Sequence, residues 1–259
     1  MTAPDETQAI RLSKRLAADL GCSRREAELY IEGGWVQVDG RLAEEPGLRV
    51  RPDQQVQLQS GARAEEAPPV TLLLHKPPGY EAGLGGIEPG AHASRSRGAP
   101  EALTLLQPDS LHAEGGPPVR VLQRHFRQLQ CHTPLPTEAS GLVVYTQDRR
   151  MARRLAEDIE TLEQECIVQV TGRIADGGLQ RLCHGLEFNG RALPPIKVSW
   201  QSEQRLRFAL KGIRPGQVPA MCAAVGLSVV ALKRLRIGRV ALAPLAEGQW
   251  RYLRPWERF

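Results

Sequence analysis

Pro134-Leu135-Pro136-Thr137-Glu138-Ala139-Ser140-Gly141-Leu142-Val143-Val144-Tyr145-Thr146-Gln147-Asp148 is the stretch from which the fold is read. Its second half holds a short apolar run at residues 142–145, rich in β-branched and aromatic side chains, which predicts a buried strand. Gln147-Asp148 then gives a polar turn, and Met151, Leu155 and Ile159 recur at helical spacing, predicting a helix from about residue 151. The first half is a loop in which Pro134 has no charge and Pro136 no nucleophilic atom. Glu138 carries a carboxylate in the loop, and Asp148 carries one in the turn beyond the strand.

Outward from this stretch, strands and helices mix without a regular β-α-β repeat. Strands are predicted at residues 72–74, 166–170, 196–200, 206–210, 229–237 and 240–242, with helices at 179–186 and 217–225. That pattern favours an α+β domain on a mainly antiparallel sheet. Residues 81–118 are rich in Gly, Pro, Ala and Ser, with a short helix at 101–106 entered through Pro100. Residues of about 83–98 read as a mobile insertion, in which Ser94, Arg95, Ser96 and Arg97 either clamp a polyanion or form a plain loop.

Residues 10–59 read as a small unit, 60–69 as a linker, and 70–259 as the larger domain. In the small unit Leu12, Leu16 and Leu20 repeat at helical spacing and Gly21 ends the helix. Ser23 and Glu26 form the sequence pattern of a capping box. The second helix runs to Gly33-Gly34, Trp35, Val36 and Val38 begin a strand, and Asp39-Gly40 signals a tight hairpin. Residues 48–50 and 56–58 are expected to pair as two further strands.

The formal charge of +5 permits a polyanionic partner without requiring one. Because the first sixty residues hold eight basic against ten acidic side chains, a uniformly basic surface is excluded and a local face is left: Arg11, Lys14, Arg24, Arg25 and Arg41. Cations in the first turn of a helix oppose its macrodipole, and a phosphate bound there offsets that cost. The competing reading is an ordinary solvated helix start. Lys233, Arg234, Arg236 and Arg239 lie on or beside a strand, where alternation puts Arg234 and Arg236 on one face, either solvated or touching phosphate.

Five cysteines, an odd number without Cys-x-x-Cys spacing, indicate neither a disulfide framework nor a zinc site. The adjacent pairs Cys131-His132 and Cys183-His184 are poorly placed to chelate, since strand neighbours point to opposite faces. No apolar run reaches the roughly 18 residues that cross a bilayer, and the N-terminus is not signal-like. A monomer in a reducing cytoplasm, with no membrane association, metal or organic cofactor, is the expectation.

Four segments carry a resemblance to pseudouridine synthases of the RsuA and RluF type, the RluF pattern being the nearest. Residues 134–142 resemble the family's Gly-Arg-Leu-Asp-x-x-(Thr/Ser)-x-Gly-Leu loop, registered on Gly141-Leu142. Ile10-Arg11-Leu12-Ser13-Lys14, Cys22-Ser23-Arg24-Arg25-Glu26-Ala27 and Val36-Gln37-Val38-Asp39-Gly40-Arg41 are similar to the alpha-L RNA-binding module of a small-subunit ribosomal protein. Leu74-His75-Lys76-Pro77-Pro78-Gly79 resembles the Asn-Lys-Pro-x-Gly segment that opens the catalytic domain. Residues 217–222 through Arg236-Ile237, then Gly248-Gln249-Trp250-Arg251, resemble the closing helix, strand and Gly-x-Trp-Arg turn.

The resemblance implies an alpha-L domain followed by a pseudouridine-synthase domain, and RNA contacts at Arg11, Lys14, Ser23, Arg24, Arg25, Arg41, Lys76, Arg234 and Arg236. The implied chemistry flips a uridine out of its stack and uses an aspartate, a stacking tyrosine and a basic residue paired with the aspartate. Those positions fall on Pro136, Cys166 and the pair Pro219-Ala220, and the loop arginine falls on Pro134. Three readings stand: a non-catalytic binder of structured RNA, rRNA or tRNA, free or on ribosomal particles; a synthase with Glu138 as substitute nucleophile; and a decayed protein with neither activity nor binding.

Overall fold

A computed structural model of the chain describes residues 9–83, 98–112 and 120–259. The expected insertion at 83–98, with Ser94, Arg95, Ser96 and Arg97, lies outside the described residues apart from its two end glycines. The chain forms two compact units, one of residues 9–69 and 120–127, the other of the remaining described residues. An undivided second domain from residue 70 does not include the return of residues 120–127 to the first unit. There the Arg120 guanidinium stacks 4.3 Å over the Trp35 ring and donates to the Gln59 side chain at 2.9 Å.

The first unit comprises β1 (Ile10–Arg11), α1 (Leu12–Leu20), α2 (Arg24–Glu32), β2 (Val36–Val38), β3 (Arg41–Ala43), β4 (Arg49–Val50) and β5 (Val56–Leu58). Leu12 and Leu16 are buried with Ala27, Ile31, Val36 and Val50, each large apolar side chain contributing roughly 1.5–3 kcal/mol by leaving water. Leu20, third in the leucine repeat, is 44% exposed, because Gly21 turns left-handed directly after it and ends the helix short of the core. The capping box is formed: Ser23 Oγ accepts from the Glu26 amide at 3.1 Å and the Glu26 carboxylate accepts from the Ser23 amide at 2.8 Å. Asp39 and Gly40 both have positive φ, as the tight turn between β2 and β3 requires.

Residues 48–50 and 56–58 do not pair with each other. β4 pairs with β1, Val50 opposite Ile10, and β5 pairs with β2, Leu58 opposite Val36. Val50 is thereby buried against Leu12, a tertiary preference that local alternation does not encode.

The second unit is built on β6 (Thr71–Lys76), β7 (Gln130–Cys131), β8 (Ser140–Thr146), α3 (Arg149–Asp158), β9 (Glu163–Gly172), α4 (Gly178–Cys183), β10 (Glu187–Phe188), β11 (Arg191–Ala192), β12 (Lys197–Ser202), β13 (Arg205–Lys211), α5 (Gln217–Ala223), β14 (Leu227–Ile237), β15 (Val240–Ala241) and β16 (Trp250–Tyr252). Its main sheet runs β12-β13-β9-β14-β8-β6-β16, with β15 on β14 and β7 on β8. Pairing is antiparallel except between β14 and β8, so the architecture is α+β on a mainly antiparallel, mixed sheet.

Apolar clusters form against this sheet. Val168, Leu206, Phe208 and Leu210 pack with Leu182 of α4 and Val218, Met221 and Cys222 of α5. Leu73, Leu142 and Val144 pack with Leu155 of α3 and with Ile237, Val240 and Phe259. Asp148 is the N-cap of α3, its carboxylate accepting from the amides of Arg150 and Met151.

Candidate functional site

A cavity of about 500 Å³ opens in the second unit where the loop before β8, strands β9 and β14, and the approach to α5 converge. That volume lies within the range of small-ligand pockets. Pro134, Pro136 and Glu138 line it from the loop, Gln164 and Cys166 from β9, Arg214 and Pro219 from around α5, and Arg234 from β14. Among the described residues of its wall, Glu138 is the one carboxylate, and it is solvent-exposed.

Two buried cations fix the loop that carries Pro136. Lys76 has no exposed surface and donates from Nζ to the carbonyls of Pro77, Tyr80 and Thr137 at 3.0, 2.9 and 3.2 Å. Desolvation lowers its pKa to about 8, against the attraction of Glu138. Arg234, 4% exposed, donates from Nε to Leu142 O at 2.8 Å, from Nη1 to Pro134 O and the Gln164 side chain, and from Nη2 to Thr133 O at 2.6 Å. Burial pushes its pKa down as well, and the oxygens that accept from it are neutral. Both ends of the loop are thus tied through backbone oxygens, while Thr133 Oγ1 accepts from the Val144 amide at 2.8 Å.

The loop can enter β8 this closely because Gly141 has φ near +117° and no Cβ. A methyl group there would fall on the backbone of Arg234 in the neighbouring strand.

Several residues expected to meet phosphate lie elsewhere. Lys76 and Arg234 are internal ties, since their donors are occupied by carbonyls. Arg236 pairs with Glu163 at 2.6 Å and Glu165 at 3.3 Å. Nor do Arg234 and Arg236 share a face: Arg234 bonds Gln164, whereas Arg236 bonds Glu163 and Glu165, which point to the opposite side of β9. A bulge in β14 between them inserts the extra residue that reverses the alternation. Arg11, Lys14, Arg24, Arg25 and Arg41 are exposed on the first unit, with Arg24 in a weak pair with Glu28 at 3.3 Å. The Ser23 hydroxyl is engaged by its capping box.

Cys166 is 1% exposed and burial pushes its thiol up to about 11, which fits a core residue and not a nucleophile. Among the described residues no group of three or more His, Cys, Asp or Glu side chains is arranged to hold a metal. Sequence reasoning did not single out Arg214, Gln164 or Thr133. A polar residue inside an apolar strand pattern was the available signal for Gln164.

The S4 domain model matches residues 10–56. An uncharacterized RNA pseudouridine synthase of Aquifex aeolicus is 28% identical over 94% of this chain and 92% of its own length. Ribosomal small subunit pseudouridine synthase A of Escherichia coli is 27% identical over 94% of this chain and 96% of its own. A crystal structure of a pseudouridylate synthase superposes with a TM-score of 0.56 at 20% identity, covering 95% of this chain and 96% of that one, and so shares the fold.

Over nearly its whole length the chain is similar to RsuA-type pseudouridine synthases. Its N-terminal unit is an S4 domain. Against the family's loop, strand and helix patterns, the altered positions Pro134, Pro136, Cys166 and Pro219 come from three separated segments, and all of them line the one cavity. The wall of this opening holds prolines and a buried thiol where the resemblance puts reactive groups.

Proposed function

We propose that this chain is a non-catalytic RNA-binding member of the family, one that holds structured rRNA or tRNA without isomerising uridine. The observation that carries this reading is Pro136, which lines the cavity at the position of the family's aspartate and offers no oxygen for attack or proton transfer. Glu138 is a poor substitute. Two residues of chain can displace a group by up to about 7 Å, whereas a misplacement of about 1 Å already costs about a hundredfold in rate. Cys166 cannot provide the stacked ring that the resemblance expects.

Binding is the part of the function that the remaining chemistry favours. The S4 unit presents Arg11, Lys14, Arg24, Arg25 and Arg41 at its surface. Phosphate contacts make affinity salt-dependent but carry no sequence information themselves.

Pseudouridine mapping of total rRNA and tRNA, in cells with and without the gene, tests the reading. The expected result is an unchanged set of pseudouridines. A site that disappears with the gene, returns with purified protein and is lost again in Glu138→Gln establishes the alternative, a synthase with a displaced carboxylate. Absence of salt-sensitive binding to either RNA class removes the binding function.

A further inference from the structure

The second unit carries a basic surface that belongs to neither the cavity nor the S4 face. Register across β12, β13, β9 and β14 puts Arg205 opposite Gln169, Arg207 opposite Ile167 and Ser199, Ala209 opposite Glu165 and Lys197, and Lys211 opposite Glu163. On β14, Lys233 lies opposite Ile167 and Arg236 opposite Glu165. Directly opposed residues share a face, and this face is the reverse of the one that buries Val168, Leu206, Phe208 and Leu210.

Six cations, Lys197, Arg205, Arg207, Lys211, Lys233 and Arg236, thus stand on one face of four strands with two carboxylates, Glu163 and Glu165. The carboxylates are internally engaged: Glu165 pairs with Arg207 at 2.5 Å and with Arg236 at 3.3 Å, and Glu163 pairs with Arg236 at 2.6 Å. Glu163 also feels Lys197 and Lys211, so these side chains converge in space as the register requires. Lys233 lies 3.8 Å from Glu247. Among the described residues Lys197, Arg205 and Lys211 are exposed and make no ion pair. The helix α3 and the C-terminal residues pack over Leu73, Leu142 and Val144, on β6 and β8, and leave the β12-β13 end uncovered.

We infer that this open sheet face is a second phosphate-contacting surface for duplex RNA, with Lys197, Arg205 and Lys211 as its free cations. The inference rests on the RNA-binding reading and assigns a part of the molecule outside the cavity to that binding. From Arg205 to Lys211 the strand extends roughly 20 Å, at about 3.3 Å per residue. Three cations over that length suit a run of backbone phosphates better than a single anion. Between the charges the apolar side chains are Ile167, Ala209 and Ala231, which offer little apolar area for a protein partner.

The test uses the full chain, a 20-base-pair RNA duplex as probe, and three proteins: the unaltered chain, K197Q/R205Q/K211Q, and R24Q/R25Q on the S4 face. The altered side chains of the sheet variant are exposed, and an unchanged melting temperature checks that it folds. Dissociation constants are measured across a salt series, where each duplex phosphate contact contributes about −0.9 to the log–log slope. Expected is duplex affinity at least about tenfold weaker for the sheet variant, with a slope shallower by about 2–3, whatever the effect of R24Q/R25Q. An unaltered affinity and slope in a chain that binds RNA overturns this inference and leaves the RNA-binding reading standing. Loss of binding to polyglutamate with unaltered RNA binding also overturns it, in favour of an acidic protein partner. No RNA binding by the unaltered chain overturns both.

Discussion

Lys76 and Arg234 show how a charged residue can be structural in a protein expected to bind a polyanion. Each is buried, and each donates to the loop that carries Pro136, Lys76 to the Thr137 carbonyl and Arg234 to those of Thr133 and Pro134. Replacing Arg234 by Met leaves several buried oxygens without a donor, which is expected to destabilise the second unit by about 3 kcal/mol or more. Calorimetry on the full chain checks this through the second unit's transition. Lys76 gives a pH signature. Its folded pKa of about 8 lies below its ordinary value of 10.5, so between these values the unfolded state binds more protons and stability rises with pH. Below pH 8 both states are protonated and the group contributes no slope. Comparing unfolding midpoints at pH 7.5 and 9.5 is expected to show an upward contribution in the unaltered chain that Lys76→Met removes; equal pH dependence in the two contradicts this origin.

At the scale of elements, the pairing of β8 with β14 depends on one missing side chain. Gly141→Ala forces a methyl group onto the Arg234 backbone and adds strain at positive φ. The expected result is loss of the folded second unit, or a melting temperature lowered by many degrees, while the S4 unit survives. In that unit Ser23→Ala should cost about 0.5–2 kcal/mol through the lost cap, seen as faster amide exchange in α2.

Those two elements also show what the sequence made legible. Ser23-x-x-Glu26 and Asp39-Gly40 are local signals, decided within a few residues, and both formed as read. The strand at 142–145 and the helix after Asp148 were legible for the same reason. The bulge in β14 was not, because alternation gives no warning of an inserted residue, and it reversed the placing of Arg236 relative to Arg234. Likewise the partners of β4 and β5, and the return of residues 120–127 to the first unit, follow from burial across long separations. For the site, the substitutions were legible as missing chemistry. That Pro134, Pro136, Cys166 and Pro219 line one opening required the fold.

On the scale of the whole molecule, an S4 domain and a pseudouridine-synthase-like unit stand in one chain, with exposed cations on the former and an opening lined by Pro136 and Glu138 in the latter. Under the proposed reading, binding can outlast catalysis, since phosphate contacts and transition-state chemistry draw on different residues. Among the described residues no helix is long and apolar enough to cross a membrane. The most direct measurement incubates the purified full chain with unmodified small-subunit rRNA transcripts, following RNA binding and pseudouridine formation in the same samples. Salt-sensitive binding with no pseudouridine formed, at protein concentrations equal to the RNA, is the expected result. Pseudouridine appearing at a defined position, abolished in Glu138→Gln, contradicts it and makes the chain an enzyme with a displaced carboxylate.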